Sequence, residues 1–357
     1  MCLIADALAE LGHEVVLVST FSASMRPKEN WCRASLGGRT MQCFDVGFLC
    51  KPPLGTAINC LRASRIADSF LENYCPDIVL MYNAYLLETL IAMRLAKNAN
   101  ARQVVELEDH PLARRRGWFN LKPWLDCAAW NRVKRRADGF TSVSDALAAC
   151  LPQGKPWILM PGILDANLLE LSRHRRRPFS GERRCIGYFG SLAKAKGSDI
   201  ILAAVDQLPP PWQFVVTGSG ELAASFQKAS QTKPQQLSYL GSVDERRLYE
   251  VMCSCDVTLI PPELARERSV FPFKVLECLA AGTHVISAHK SILANPDLAF
   301  MVRWDGSVSN LLQKIQSAED NYIAEEENRN HAIQYIQRFT SPNVGKELVN
   351  LFGRATN

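Results

Sequence analysis

The sequence predicts an α/β protein of two domains, each a Rossmann-like, doubly wound parallel sheet. Three observations carry this expectation. Short runs rich in β-branched residues alternate with helical stretches along the whole chain. Those runs are nearly continuous in apolar residues, which suits strands covered by helices on both faces. And a length of 357 residues exceeds what a single hydrophobic core usually serves.

In the first half the strands are expected at 14–19 (EVVLVS), 77–82 (DIVLMY), 103–108 (QVVELE), 139–143 (GFTSV) and 157–160 (WILM). In the second half they are expected at 185–189 (CIGYF), 213–217 (QFVVT), 237–240 (LSYL), 256–260 (DVTLI), 284–287 (HVIS) and 300–303 (FMVR). Helical segments between them imply right-handed crossovers. Residues 166–183 interrupt the alternation. Their stretch HRRRPFSGERR is basic, holds Pro178 and Gly181, and reads as a linker. The boundary is therefore expected near residue 175, with domains 1–175 and 176–357. Residues 325–353 read as helix broken near Ser341-Pro342, and the last piece is free to pack back on the first domain. The chain opens inside a helix (CLIADALAELG), without the strand and Gly-rich turn that begin such a domain. The expectation is an N-terminus that is incomplete or divergent, its first strand missing.

Composition narrows the class. Hydrophobic content of 47% and charged content of 22% are those of a globular protein. No apolar run reaches the roughly 18 to 20 residues of a membrane span. The first residues lack the basic segment of a signal peptide, so a cytoplasmic protein is expected. Twelve cysteines are scattered and read as reduced thiols. Cys253 and Cys255 have no second cluster to complete a zinc site. The net charge of +5 is gathered in runs at 114–116 (RRR), 132–136 (RVKRR) and 173–177 (RHRRR). They read either as solvated helix faces and a linker or as contacts to an anionic membrane surface or acidic substrate. Nucleic acid is not expected, since no binding motif or stacking platform accompanies the charge.

Three segments carry chemistry. The first runs from strand 185–189 into GSLAKAKGSD. Gly190 and Gly197 permit a tight turn, and Lys196 stands where the next helix starts, a combination suited to a pyrophosphate. An ordinary turn with a solvated lysine is the competing reading. The second, TGSGELA at 217–223, matches G-x-G-x-x-A. It lies in the second βα unit of its domain, and no carboxylate ends the following strand, so a nicotinamide dinucleotide is not expected. In the third, Lys274 and Glu277 share a helix face at i and i+3. A carboxylate there can accept from two ribose hydroxyls while the lysine meets phosphate. The competing reading is a surface ion pair.

Together, GSLAKAKG at 190–197, TGSGEL at 217–222, LGSVDERRLYEVMCSCDVTLIP at 240–261 and FPFKVLECLAAGTHVIS at 271–287 resemble the C-terminal domain of retaining glycosyltransferases of family 4. LAELGHEVVLVST, VVELEDHP, ADGFTSVS-x-x-L and PGILD at 161–165 resemble the acceptor domain and interdomain segment of that family more weakly. The resemblance implies the GT-B fold, two such domains facing a cleft. It implies a nucleotide-sugar donor (UDP-, GDP- or another) and transfer to an acceptor hydroxyl, with retention. It implies no cofactor, and no Asp-x-Asp motif is present to bind a metal. Lys196 matches the residue holding the donor phosphates, after the turn at Gly190. Glu277 matches the second acid of E-x7-E, which binds ribose. Gly218 and Gly220 match glycines beside the nucleotide, and Leu240, Ser242 and Val243 match the stretch that cradles the base.

The sequence departs from the family pattern at three places. Ser191 stands where the family has arginine, and Ser269 where it has the first acid of E-x7-E. Glu108, followed by Asp109 and His110, replaces the acceptor-domain histidine. Lys194, Arg268 or Lys274 would have to supply the second cation. Glu108, Asp109 and His110 are the candidate acceptor contacts, the acceptor being a glycan or a lipid-linked one. A non-catalytic sugar-nucleotide-binding scaffold and a GT-B epimerase are the alternatives.

Overall fold

A computed structural model of the chain describes residues 2–19, 30–36, 39–46, 54–109, 122–175, 178–263, 271–324 and 326–354. The contacts divide the chain into one unit of Met1–Ile163 with Ser341–Asn357, and a second of Leu164–Thr340.

The first unit contains α1 (Cys2–Glu10), β1 (Val16–Ser19), β2 (Asn30–Leu36), β3 (Arg39–Asp45), α2 (Leu54–Leu71) and β4 (Ile78–Tyr82). It continues with α3 (Leu86–Asn98), β5 (Arg102–Leu107), α4 (Lys122–Arg136), β6 (Gly139–Ser142), α5 (Asp145–Ala148) and β7 (Trp157–Leu159). Strands β4-β5-β6-β7 form a four-stranded parallel sheet. Val104, Val105 and Leu107 of β5 and Phe140 of β6 are fully buried, as expected of strands covered on both faces. One face packs on Trp130, Val133 and Leu147, the other on Ile4, Leu8, Leu348 and Leu351.

A second sheet in this unit, β1-β3-β2, departs from the all-parallel expectation. Here β1 pairs parallel to β3, but β2 pairs antiparallel to it. Neither β2 (NWCRASL) nor β3 (RTMQCFD) has the continuous apolar run of the other strands, because polar residues interrupt both. The signal lay in Gly37-Gly38 between two half-apolar runs, a hairpin dipeptide.

The second unit contains α6 (Ala166–Arg173), β8 (Arg184–Phe189), α7 (Ser198–Ala204), β9 (Trp212–Thr217), α8 (Ala223–Thr232) and β10 (Leu237–Tyr239). Next come α9 (Glu245–Ser254), β11 (Val257–Ile260), α10 (Lys274–Ala280), β12 (His284–Ser287) and α11 (Lys290–Leu293). It ends with β13 (Val302–Arg303), α12 (Val308–Gln316), α13 (Ala318–Ala324) and α14 (Glu326–Gln337). Its six strands are parallel, in the order β10-β9-β8-β11-β12-β13. Met252, Val275 and Phe339 fill one face and Phe214, Phe226 and Leu311 the other.

The described residues of the stretch expected to be a linker, 166–175 and 178–183, belong to this unit. Asp165 caps α6 through the Asn167 amide at 2.6 Å, and Leu168 is fully buried against the α9–α10 side. Arg175 donates to the carbonyls of Ala281 and Cys255. The division between units therefore falls at Ile163–Leu164 and not near residue 175. Amphipathic packing of NLLEL outweighs the polar character of the basic residues after it. The last helix, α15 (Ser341–Arg354), lies in the first unit, where Leu348 and Leu351 join its core and Arg102 donates to the Phe352 carbonyl at 2.7 Å. Among the described residues no helix is long and apolar enough to cross a membrane.

Candidate functional site

In the second unit the sheet grows in opposite directions from β8 and β11. The carboxyl ends of parallel strands at such a switch point form a crevice that no crossover helix covers. Four turns meet there, following β8, β9, β11 and β12. After β8 the chain passes exposed Gly190 and Ser191, then a single 3-10 turn Lys194–Lys196, before α7 begins at Ser198. Lys196 therefore precedes the helix by one glycine. Gly197 has φ 71°, and a Cβ there would lie 2.8 Å from Cβ of Pro261. Only glycine lets this turn sit against the Pro261-Pro262 turn after β11.

The glycine string after β9 has a structural task. A Cβ on Gly218 would lie 1.8 Å from the Gly190 carbonyl oxygen. The Leu192 amide donates to Ser219 O at 2.8 Å, the Leu222 amide to Leu192 O at 3.0 Å, and the Gly218 amide to Gly241 O at 2.8 Å. The turns after β8, β9 and β10 are thus zipped by their backbones. Gly218 and Gly220 make the close approach available. Ser242 is exposed and Val243 half-buried in the third of these turns.

Lys196 forms an ion pair with Glu263, a residue that no sequence motif marks. The other oxygen of Glu263 lies 3.3 Å from Nε2 of His289, a buried residue just after β12. Nδ1 of His289 lies 2.8 Å from the Ser291 hydroxyl. Burial alone would push the Glu263 carboxyl up, but the hydrogen bonds from Lys196 and His289 outweigh it and hold it below its ordinary value. Burial pushes His289 below its ordinary value against the pull of Glu263.

Lys274 and Glu277 share a face of α10 as expected, with Nζ 2.5 Å from Oε2. The pair is not on the solvated surface, since the Glu277 side chain is only 10% exposed. Burial raises its pKa, Lys274 lowers it, and Glu245 and Asp165 add to the rise. The close contact with Lys274 is poorly aligned, and Oε2 accepts no well-directed hydrogen bond.

In the first unit, Glu108 and Asp109 follow β5 and are held by three residues from the neighbouring end of β4. The Tyr82 hydroxyl donates to Glu108 Oε2 at 2.7 Å, and the Tyr85 hydroxyl to Asp109 Oδ2 at 2.6 Å. The side-chain oxygen of Asn83 accepts from the amides of Glu108 at 2.9 Å and Asp109 at 3.0 Å. Asn83 has φ 53°, a left-handed conformation that asparagine tolerates better than most residues. Burial pushes the neighbouring Glu106 carboxyl up to about 7. Tyr82, Asn83 and Tyr85 carry no sequence signal of their role, because nothing local marks a strand end as facing the next strand's end. His110, Ser269, Arg268 and the run 114–116 lie outside the described residues. Of the second basic run, Arg132, Arg135 and Arg136 are exposed at the end of α4.

Two family models match the chain. One is described as a glycosyl transferase 4-like domain and matches residues 1–153; the other, glycosyl transferases group 1, matches residues 183–318. No curated protein matches the sequence. Among solved structures, sucrose-phosphate synthase from Thermosynechococcus elongatus is 16% identical, with a TM-score of 0.67, covering 98% of this chain and 91% of its own. A UDP-forming α,α-trehalose-phosphate synthase from Burkholderia xenovorans is 12% identical, with a TM-score of 0.69 and coverage of 99% and 97%. Anabaena HepE in complex with UDP-glucose is 17% identical, with a TM-score of 0.58 and coverage of 87% and 85%. At these identities the likeness establishes the shared GT-B fold.

Proposed function

Since the chain belongs to the family 4-like glycosyltransferases, its two halves matched by models of that kind, we propose that it transfers a sugar from a nucleotide-sugar donor to an acceptor hydroxyl with retention and without a metal. The observation that carries this is Lys196, placed by a glycine turn at the switch point of the second sheet. As the bond to the anomeric carbon breaks, negative charge grows on the leaving phosphate. An ammonium at that point stabilises it in proportion to the charge that develops. Lys194, two residues earlier on the same turn, is a second cation in place of the arginine that Ser191 replaces.

Glu277 binds the ribose. Its buried carboxylate has an oxygen without a well-directed donor, and two vicinal hydroxyls supply what it lacks. HepE is complexed with UDP-glucose and the Burkholderia synthase is UDP-forming, so UDP-sugars are the donors to try first. The turn carrying Ser242 and Val243 receives the base. On the first unit, Glu108 and Asp109, with Tyr82 and Tyr85 on them, receive the acceptor. Exposed Arg132, Arg135 and Arg136 support contact with the anionic face of a membrane, where a lipid-linked acceptor would lie. The test is sugar transfer from UDP-sugars in excess EDTA, with the anomeric configuration of the product read by NMR. Turnover should persist with retained configuration. Turnover that vanishes and returns with magnesium or manganese removes the metal-free mechanism. Donor binding without any turnover makes the protein a scaffold.

A further inference from the structure

We propose that Glu263 is the resident counter-ion of Lys196 and sets donor affinity by competing with the diphosphate for that ammonium, with His289 keeping hold of the carboxylate when it is displaced. The inference rests on the assignment of Lys196 to the donor phosphates and adds a residue that no motif marks.

The geometry is built for the exchange. Lys196 and Glu263 stand on turns after β8 and β11, the two strands that flank the switch point. Those turns are held in contact at Gly197 and Pro261, so the two side chains meet without the chain having to move. The Lys196 side chain is 49% exposed and that of Glu263 is 23% exposed, a partly wet pair that an incoming ligand can reach. Such pairs contribute little to stability, so opening one does not threaten the fold.

The two oxygens of Glu263 are divided between two partners. Oε1 faces Lys196 and Oε2 faces His289. An ionised carboxylate only accepts, so Nε2 of His289 carries its proton toward Glu263, and Nδ1 accepts from the Ser291 hydroxyl. The burial that disfavours a charged His289 agrees with this neutral form. The His289 amide also donates to Ser287 Oγ at 3.1 Å, which fixes the backbone beneath the ring. When Lys196 turns to a diphosphate, Glu263 is left with a fixed donor and is not orphaned. A diphosphate offers more charge and more acceptor oxygens than one carboxylate, so it wins the ammonium. In its absence Glu263 neutralises Lys196 and discourages weaker anions.

The experiment titrates UDP, GDP and inorganic pyrophosphate into the full chain by calorimetry, for wild type, Glu263→Gln, Lys196→Ala and the double variant. Glutamine keeps the shape of the side chain and an oxygen for His289 but gives up the charge. Glu263→Gln should tighten the diphosphate ligands about twofold to fivefold, the upper part of the range for a solvent-exposed ion pair. Lys196→Ala should weaken them. In the Lys196→Ala background, Glu263→Gln should change affinity by less than about twofold, because the competitor has lost what it competes for. A Glu263→Gln variant that binds more weakly or unchanged, while Lys196→Ala weakens binding, overturns the proposal and leaves the donor site standing. An equal gain in both backgrounds also overturns it, by making Glu263 a distant repulsive charge. Affinity untouched by Lys196→Ala, or no binding of any of the three ligands by wild type, removes the phosphate assignment itself.

Discussion

The strand ends of the two units are built by different means. In the second unit, backbone amides of one turn donate to carbonyls of the next, from Leu192 to Ser219 and from Gly218 to Gly241. In the first unit, side chains tie the ends: Asn83 accepts from two amides, and Tyr82 and Tyr85 hold two carboxylates. The first method depends on glycines and leaves the functional side chains free to vary. The second makes the functional side chains themselves the fasteners. Their charge differs too, with a lysine presented by one and two carboxylates by the other. A lysine suits a leaving diphosphate. Carboxylates paired with tyrosines suit the hydroxyls of an acceptor.

If the second unit is zipped by its backbone, the largest effect comes from breaking the zip. Gly218→Ala would force a Cβ to 1.8 Å from the Gly190 carbonyl oxygen. Destabilisation of at least about 4 kcal/mol is expected, read as a fall in the denaturation midpoint. An unchanged midpoint would mean that the turns are not locked together.

Lys196→Ala should leave the fold intact and lower kcat about 100- to 1000-fold, or roughly 3 to 4 kcal/mol. Near-normal kcat with any accepted donor would displace the phosphates from this turn. Glu277→Ala should weaken donor binding by about 1.5 to 3 kcal/mol, as for a lost hydrogen bond to a charged group. Calorimetry showing unchanged affinity would take Glu277 out of the site.

The smallest effect tests the other unit. Asn83→Ala removes the acceptor of two amide hydrogen bonds and keeps φ 53°. A loss of about 1 to 2 kcal/mol in stability is expected. The acceptor KM should rise while donor affinity stays constant. A change in donor affinity instead would blur the division of labour between the two regions.

Much of the second unit is legible in the sequence because its signals are local. Continuous apolar runs such as DVTLI became buried parallel strands, and Lys274 and Glu277 share a face because a helix returns after 3.6 residues. Less of the first unit is legible. The hairpin β2–β3 is half polar, and the fasteners Tyr82, Asn83 and Tyr85 carry no motif. Helix α6 is hidden by the basic residues next to it.

What the sequence determined by itself was the alternation of strands and helices from β8 to β13, the turns at Gly190 and Gly218, and a cation, Lys196, beside the first of them. Each comes from short-range chemistry: apolar period, glycine, and charge beside a turn. The tertiary structure alone decided that Glu263 meets Lys196, 67 residues away, with His289 behind it. It also decided that the carboxyl ends of β4 and β5 share a hydrogen-bond network, and that α15 joins the first unit's core. The physical reason is that strand neighbours are chosen by how whole sheets assemble. The order β10-β9-β8-β11-β12-β13 brings distant turns together, and no local pattern of residues encodes which turn will face which.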